Sequence, residues 1–292
     1  MNFDDPAWRS APLRTGFRVA KSLARRAVPR LSRAVVPYDD GRSFIHADLH
    51  TPLGLILYRY GHRDADIDLV GRLLAAGDVF VDGGANVGLF TLVAAERVGA
   101  TGKVIAVEPG RTVRLRLLEN IVLNHLTQVE VIPLALSFAA GQASFRVFEV
   151  GGAGLNHLAP SDGEDGGVET VGLTTLDSLL IPHDIGRLAL IKLDLEGAEH
   201  DALRGAGAIL RERQPDLLLE IEPAHLQRMG ASAEAVVELL SPYGYSFFRT
   251  GRDAHGVPVL TPANRISESS QQPNVFATVD PQRARSRGIV IR

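Results

Sequence analysis

The stretch Asp78-Val79-Phe80-Val81-Asp82-Gly83-Gly84-Ala85-Asn86-Val87-Gly88 runs from a short apolar strand into a glycine-rich turn. Residues 89–98 follow as an apolar helix closed by Gly99, and residues 103–108, Lys-Val-Ile-Ala-Val-Glu, as a second strand. Strand, turn, helix and strand in that order form a βαβ unit. The small residues of the turn let the backbone approach a ligand closely. The helix after it offers unpaired N–H groups and a positive dipole end. Glu108 ends the second strand twenty residues past Gly88. A carboxylate there can accept hydrogen bonds from both hydroxyls of a ribose. Turn and carboxylate together specify a nucleoside-type cofactor at the carboxyl ends of adjacent strands.

The alternation continues outward. Residues 112–124 read as a helix, 129–134 as a third strand, 188–194 as a fourth and 200–210 as a helix. A fifth strand over 216–222, a helix over 233–240 and two last strands over 245–249 and 275–278 complete the pattern. It predicts an α/β fold, a mostly parallel sheet with helices on both faces. Segments 143–150 and 169–173 break the alternation and are expected to face each other as an inserted hairpin. The Gly-, Asp- and Ser-rich stretch 151–167 between them is expected to be mobile. Upstream, 66–76 reads as a helix, and 44–60 as two short strands around Thr51-Pro52-Leu53-Gly54. The tail after Asp280 is expected to fray.

The chain has 292 residues, 45% hydrophobic and 22% charged, which excludes a disordered chain or a rod. With no cysteine there is no disulfide framework, thiolate metal site or cysteine nucleophile. No apolar run reaches 18 residues, so no transmembrane helix is expected. The first residues, Met1 to Pro6, lack a basic region feeding an apolar core, so no secretory signal is expected either. The expected location is cytoplasmic. The net charge of −3 is unevenly spread. Residues 1–36 carry eight Lys/Arg against Asp4 and Asp5, a net +6, and residues 281–292 carry four Arg and no acid. The body between them is left at −13, a poor surface for nucleic acid. Arg14, Arg18, Lys21 and Arg25 recur at helical spacing beside Leu13, Phe17, Ala20 and Ala24. Such a basic amphipathic helix suits peripheral contact with an anionic membrane or a protein partner, or packing on its own domain. Four units are therefore expected: a basic arm (1–36), a strand–helix extension (37–76), the cofactor-binding domain (77–280) and a basic tail (281–292).

The cofactor is chosen by elimination. The dinucleotide fingerprint wants Gly-x-Gly-x-x-Gly. Fitting Gly83, Ala85 and Gly88 to it leaves alanine where a pyrophosphate must come close. Asp82 repels a pyrophosphate and suits an ammonium. S-adenosylmethionine carries an ammonium, a carboxylate, a sulfonium and a ribose, and is preferred over NAD.

Two further segments carry chemistry. In Ile191-Lys192-Leu193-Asp194-Leu195-Glu196-Gly197-Ala198-Glu199, Lys192 and Asp194 share one strand face. Asp194 then stands at the strand's carboxyl end, and an ionised carboxylate on an apolar strand needs a partner, for which Lys192 is the candidate. Glu196 and Glu199 fall at a helix start, where negative charge suits the dipole. In Leu217-Leu218-Leu219-Glu220-Ile221-Glu222-Pro223-Ala224-His225, Glu220 and Glu222 share a face and His225 is a candidate base near neutral pH. Asp194, Glu220 and Glu222 are the residue types that bind a hard cation. Nothing in their spacing demands one, and no metal is assigned.

These residues, with Glu119-Asn120, Asn124 and Thr175-Leu176-Asp177, resemble the FkbM family of S-adenosylmethionine-dependent methyltransferases over about residues 76–225. The resemblance implies a class I methyltransferase fold, a Rossmann-like, mostly parallel seven-stranded sheet with its last strand antiparallel. It also implies O-methylation of a hydroxyl on a sugar, polyketide or lipid-linked natural product. On this resemblance Asp82, Gly83, Gly84, Ala85, Asn86 and Gly88 hold the methionine part of the cofactor. Glu108 with Pro109 takes the ribose, Leu136 and Ser137 lie near the adenine, and Asp194 sits beside the transferred methyl. Where members often carry a small polar Ser, this chain reads Gly154-Leu155-Asn156-His157-Leu158, a departure in the substrate loop. Residues 1–60 and those after about 250 show no family pattern. Asp194 is the expected base, His225 the second candidate, and Lys192 the group that orients Asp194 or lowers the acceptor's pKa. The rival readings are an NAD-dependent oxidoreductase and a non-catalytic cofactor-binding scaffold.

Overall fold

A computed structural model of the chain describes residues 12–26, 32–61, 64–147, 156–158, 167–180, 186–263 and 274–292. A helix, Pro12–Arg26, leads into strands β1 (Arg33–Tyr38) and β2 (Ser43–Asp48), which pair antiparallel. The β1 strand runs across residue 36, where arm and extension meet. Val19 and Ser22 are buried, and the Ser22 hydroxyl accepts a hydrogen bond from Arg59 Nε at 2.7 Å. Arg25 lies over the Tyr58 ring.

The second strand expected within 44–60 is instead a helix, Pro52–Tyr60. Three local features start it. Thr51 is extended and its side chain accepts from Gly54 N–H at 3.0 Å. Pro52 occupies the first helical position, where its missing N–H costs nothing. Gly54 lies so close to Asp48 that a Cβ would stand 2.0 Å from the Asp48 carbonyl oxygen.

The central sheet begins with β3 (Val79–Gly83), β4 (Lys103–Val107) and β5 (Val129–Ile132), all parallel and joined by helices Leu89–Val98 and Arg111–Leu123. A side sheet follows. It comprises β6 (Ala135–Leu136), β7 (Gly141–Val147), β8 (His157–Leu158) and β9 (Gly167–Thr174). The expected inserted hairpin is the antiparallel β7–β9 pair, Gly141↔Leu173 to Val147↔Gly167. Of the loop expected to be mobile, residues 151–155 and 159–166 lie outside the described residues. The chain returns to the centre with β10 (Leu188–Leu193) and β11 (Asp216–Glu220), and finishes with β12 (Ser246–Arg252), β13 (Pro258–Pro262), β14 (Asn274–Thr278) and β15 (Val290–Ile291).

The strand order is β15-β13-β12-β14-β11-β10-β3-β4-β5. Seven of these, β12 through β5, form the doubly wound sheet that the resemblance implies, with β14 antiparallel to both its neighbours. The strands β13 and β15 extend that edge beyond it. Alternate side chains feed two cores. Phe80, Val104, Leu190 and Phe276 pack on one face; Val81, Ile105, Leu193 and Leu219 pack on the other.

Two further expectations are corrected. The helix expected over 200–210 is two, Glu199–Arg204 and Gly207–Glu212. A Cβ on Gly205 would stand 2.3 Å from the Ser137 carbonyl, and the Asp177 carboxylate accepts the N–H groups of Ala208 and Ile209, starting the second helix. The tail does not fray. Asp280 caps a helix, Pro281–Ser286, and β15 pairs in parallel with β13. Ala284 and Ile289 are buried, so the tail is part of the core. Arg283 donates to the Gln214 carbonyl and lies 3.5 Å from Asp216. No helix among the described residues is long and apolar enough to cross a membrane.

Candidate active site

A cleft of about 780 Å3, partly open to solvent, lies at the carboxyl ends of β3, β4, β10 and β11. Parallel strands ending side by side leave such a crevice where the connections diverge to opposite faces. Gly84, Asn86, Glu108, Pro109, Leu136 and Asp194 line it, all expected from the sequence. Asp82, Gly83, Ala85, Gly88, Ser137, Lys192 and His225 are not among the residues that line it.

The turn after β3 is closed upon itself. The Val107 carbonyl accepts from both Gly84 and Ala85 N–H, and Asn86 N–H donates to Glu108 Oε2 at 2.9 Å. These three amides point back to β4, so they do not form an outward cradle for a pyrophosphate. Gly84 has φ +73, and a Cβ on it would stand 1.9 Å from the Asp194 carbonyl oxygen. Only glycine allows β3 and β10 to end this close. The result is a wall of bare backbone that brings Glu108 and Asp194 to one cleft.

Glu108 is almost wholly buried and accepts two backbone N–H bonds, Asn86 at Oε2 and Gly110 at Oε1. Burial pushes its carboxyl up to about 7 despite those bonds. Each carboxylate oxygen keeps a lone pair after accepting one N–H, so two adjacent hydroxyls can still be taken.

Behind the wall, Lys192 Nζ lies 3.3 Å from Asp194 Oδ2, 3.5 Å from Asp82 Oδ1 and 3.4 Å from the Gly84 carbonyl, over the Phe90 ring. Burial pulls the ammonium pKa down, but Asp194 and Asp82 more than offset it and the pKa is raised. Asp82 also accepts the Thr91 hydroxyl at 2.6 Å. In the structure its carboxylate therefore neutralises Lys192 and pins the first turn of the next helix. Asp194 is the exposed member of the trio, its side chain 40% exposed.

The loop after β10 turns sharply. Glu196 has φ +55 and Gly197 φ +112. Glu199 closes it, Oε1 accepting Leu195 N–H at 2.6 Å and Gly197 N–H at 3.3 Å. A Cβ on Gly197 would stand 2.3 Å from the His225 carbonyl, so this loop sits directly on helix Pro223–Arg228. The packing brings Glu196 Oε2 to 2.9 Å from His225 Nδ1, with Glu220 Oε2 at 4.0 Å. Burial, then the carboxylates Asp194 and Glu199, push Glu196 up to about 8. Burial and Asp194, Glu196 and Glu199 push Glu220 up to about 10. Burial, then Arg228, lowers the pKa of His225.

Several wall residues were not singled out from the sequence. Val107, Leu195 and Ala198 belong to the quoted strands and loops and Ala135 lies just past the third strand; Phe145 comes from the side sheet, and Asn156 and Leu158 were quoted only as part of the segment 154–158 that departs from the family. The remaining motif residues build scaffold. The Asn120 side chain accepts His46 N–H and donates to the Val87 carbonyl, tying the glycine-rich turn to β2. The Asn124 side chain accepts and donates on the Phe44 backbone.

Residues 82–247 match the model of the methyltransferase FkbM domain. Among curated proteins, the AMB antimetabolite synthetase AmbE of Pseudomonas aeruginosa is 27% identical over 267 residues, 76% of this chain. The match spans only 12% of that longer protein. Among solved structures, methyltransferase FkbM from Methylobacillus flagellatus KT is 16% identical over 70% of this chain and 44% of that one, with TM-score 0.40. The O-methyltransferase from Bacillus cereus in complex with SAH is 13% identical over 74% of this chain and 80% of that one, with TM-score 0.41.

Proposed function

Because the chain belongs to the FkbM methyltransferase family, we propose that it transfers a methyl group to a hydroxyl oxygen of a sugar, polyketide or lipid-linked acceptor. The methyl donor is S-adenosylmethionine, and the NAD-dependent alternative falls with that. One observation carries the acceptor-side reading: the Gly84 contact with Asp194 sets a ribose-binding carboxylate and a solvent-accessible carboxylate on one cleft wall.

The residues present fit the donor. Glu108 has lone pairs left for two ribose hydroxyls, and Pro109, Leu136 and Ala135 offer an apolar flank for the base. The helix Leu89–Val98 starts at Gly88 without a side-chain cap, so its first turn suits a carboxylate. When bound, the cofactor supplies an electrophilic methyl on a sulfonium. The chain must align the acceptor oxygen and take its proton. Asp194 accepts that proton at Oδ1 or Oδ2, and Lys192, 3.3 Å away, fixes the carboxylate's orientation. His225 is held by Glu196 away from the cleft and acts on Asp194's surroundings rather than on the acceptor.

The reading is tested by calorimetric titration with S-adenosylmethionine and, separately, NAD, on wild type and Glu108→Gln. S-adenosylmethionine alone binds, and Glu108→Gln weakens it about tenfold or more. Production of S-adenosylhomocysteine over a panel of hydroxylated acceptors then separates the enzyme from a non-catalytic scaffold: cofactor binding without product from any of them overturns the proposal.

A further inference from the structure

We infer that Glu196, Glu220 and His225 form a binding site for one divalent cation of the Mn2+ or Zn2+ type, set in the cleft wall beside Asp194. The three come from different elements: the loop after β10, the end of β11 and helix Pro223–Arg228. Two carboxylate oxygens and one imidazole nitrogen lie within 4.8 Å of one another. Small side-chain rotations bring such a set to metal–ligand distances of about 2.0–2.2 Å.

The atoms that face the centre are short of partners. Glu220 Oε2 and His225 Nδ1 are both shut off from solvent, and neither takes a hydrogen bond among the described residues. The Glu196 side chain is nine-tenths buried, and its Oε2 lies 2.9 Å from His225 Nδ1. Buried polar groups are normally satisfied, and two buried atoms without a hydrogen bond, both within 4.8 Å of a Glu196 carboxylate oxygen, call for an occupant. The charge balance calls for a cation. Asp194, Glu196, Glu199 and Glu220 converge here, and Glu222 lies close by. They face Lys192, Arg228 and the histidines His157 and His225. Lys192 is already bound to Asp82 and Asp194, and Arg228 Nη2 donates to the Glu196 carbonyl rather than to its carboxylate. An imidazole nitrogen such as His225 Nδ1 supplies the one nitrogen ligand of the set. One nitrogen and two oxygens suit Mn2+, Zn2+ or Fe2+ better than Ca2+, which takes oxygen ligands throughout.

The site stands without the methyl-transfer reading, but its use there rests on that reading. Glu196, Glu220 and Asp194 all line the cleft. An ion held by the first two can bind the acceptor's oxygen and lower its pKa, so that Asp194 takes the proton more readily. Acceptors with a second oxygen beside the reacting hydroxyl would then be preferred, because they chelate.

The test is titration of the metal-free full chain with Mn2+ near pH 7.5, followed by calorimetry and by the electron paramagnetic signal of free Mn2+. One ion per chain is expected. His225→Ala and Glu220→Gln each weaken binding about tenfold or more, while Glu222→Gln leaves it unchanged. Absence of saturable binding up to millimolar Mn2+, in protein that still binds S-adenosylmethionine, overturns the site. So does equal affinity in wild type and both cluster variants, which places the ion elsewhere. Mn2+ binding in protein that ignores S-adenosylmethionine instead sinks the methyltransferase reading and leaves the site standing.

Discussion

At the residue scale the decisive position is Gly84. Its positive φ and the Asp194 carbonyl beneath it leave no room for a methyl group. Gly84→Ala must either force β3 and β10 apart or bend the turn that carries Asn86 to Glu108. A cost of about 2–4 kcal/mol follows from overpacking together with the left-handed backbone. Urea denaturation of the variant reads it, and an unchanged midpoint would show that the turn relaxes freely. Asp194 poses the opposite case. Its side chain is the exposed end of a buried chain, Asp82–Lys192–Asp194, so Asp194→Asn removes the proposed proton acceptor without removing a wall. Turnover should fall about a hundredfold or more while cofactor affinity changes little. Steady-state assays with calorimetry check this, and full turnover in the variant would move the proton acceptor elsewhere.

At the scale of elements, each departure from the expected pattern has a local cause. Residues 52–60 are rich in apolar side chains and read equally as strand, but the Thr51 cap and Pro52 start a helix. Thr51→Ala frees the Gly54 N–H and should cost about 1 kcal/mol, measured as a shift in thermal midpoint at constant denaturation slope. The break between Glu199–Arg204 and Gly207–Glu212 serves the same economy of hydrogen bonds. Asp177, from the helix after β9, supplies the cap that the second segment lacks in its own sequence. The side sheet does more than decorate the fold, because β7 and β8 bring Phe145 and Leu158 onto the cleft wall. They close that wall, Phe145 at a position no motif marks and Leu158 within the segment 154–158 where the chain departs from the family.

For the whole molecule the clearest consequence is the pH dependence of stability. Glu108 and Glu199 titrate at about 7, Glu196 at about 8, Glu220 at about 10 and Asp216 at about 6, all above the ordinary carboxylate range because they are buried. A carboxyl whose folded pKa exceeds its unfolded value stabilises the fold at low pH, and the contribution is lost as pH rises through the folded pKa. The ligand-free protein should therefore lose thermal stability between about pH 5 and pH 10, with Glu196→Gln flattening the fall. Calorimetric scans across that window decide it; a midpoint that climbs with pH would contradict the burial of these groups. The acidic body and basic ends are also a tertiary matter. Arg283 and Arg287 approach Asp216 and Asp78 at the amino ends of the strands, so the tail neutralises the body it is sewn to. Deleting residues 281–292 strips Ala284 and Ile289 from the core and should lower the thermal midpoint by roughly 5–10 °C.

The sequence by itself determined the doubly wound sheet, the turn at Asp82–Gly88 and the placing of the carboxylates Glu108 and Asp194 at strand ends beside it. Each of those is written in short-range terms: period-two and period-3.6 apolar patterning, glycines where the backbone must turn, and acids at strand ends. It also located Lys192, because an ion on an apolar strand needs a partner within two residues. What it left undecided was long-range. Whether Asp82 meets a ligand or Lys192 depends on Thr91 and β10 closing over it. Whether Glu196 caps a helix or meets His225 depends on Gly197 seating one loop on another helix, 28 residues further along the chain. Whether the last twelve residues fray or join the core depends on an edge, β13, that the apolar pattern did not reveal. Local periodicity specifies elements. Only the packed structure decides which side chains from distant elements are buried together, and therefore which of the same carboxylates carries a proton, faces a cation or stands open to a substrate.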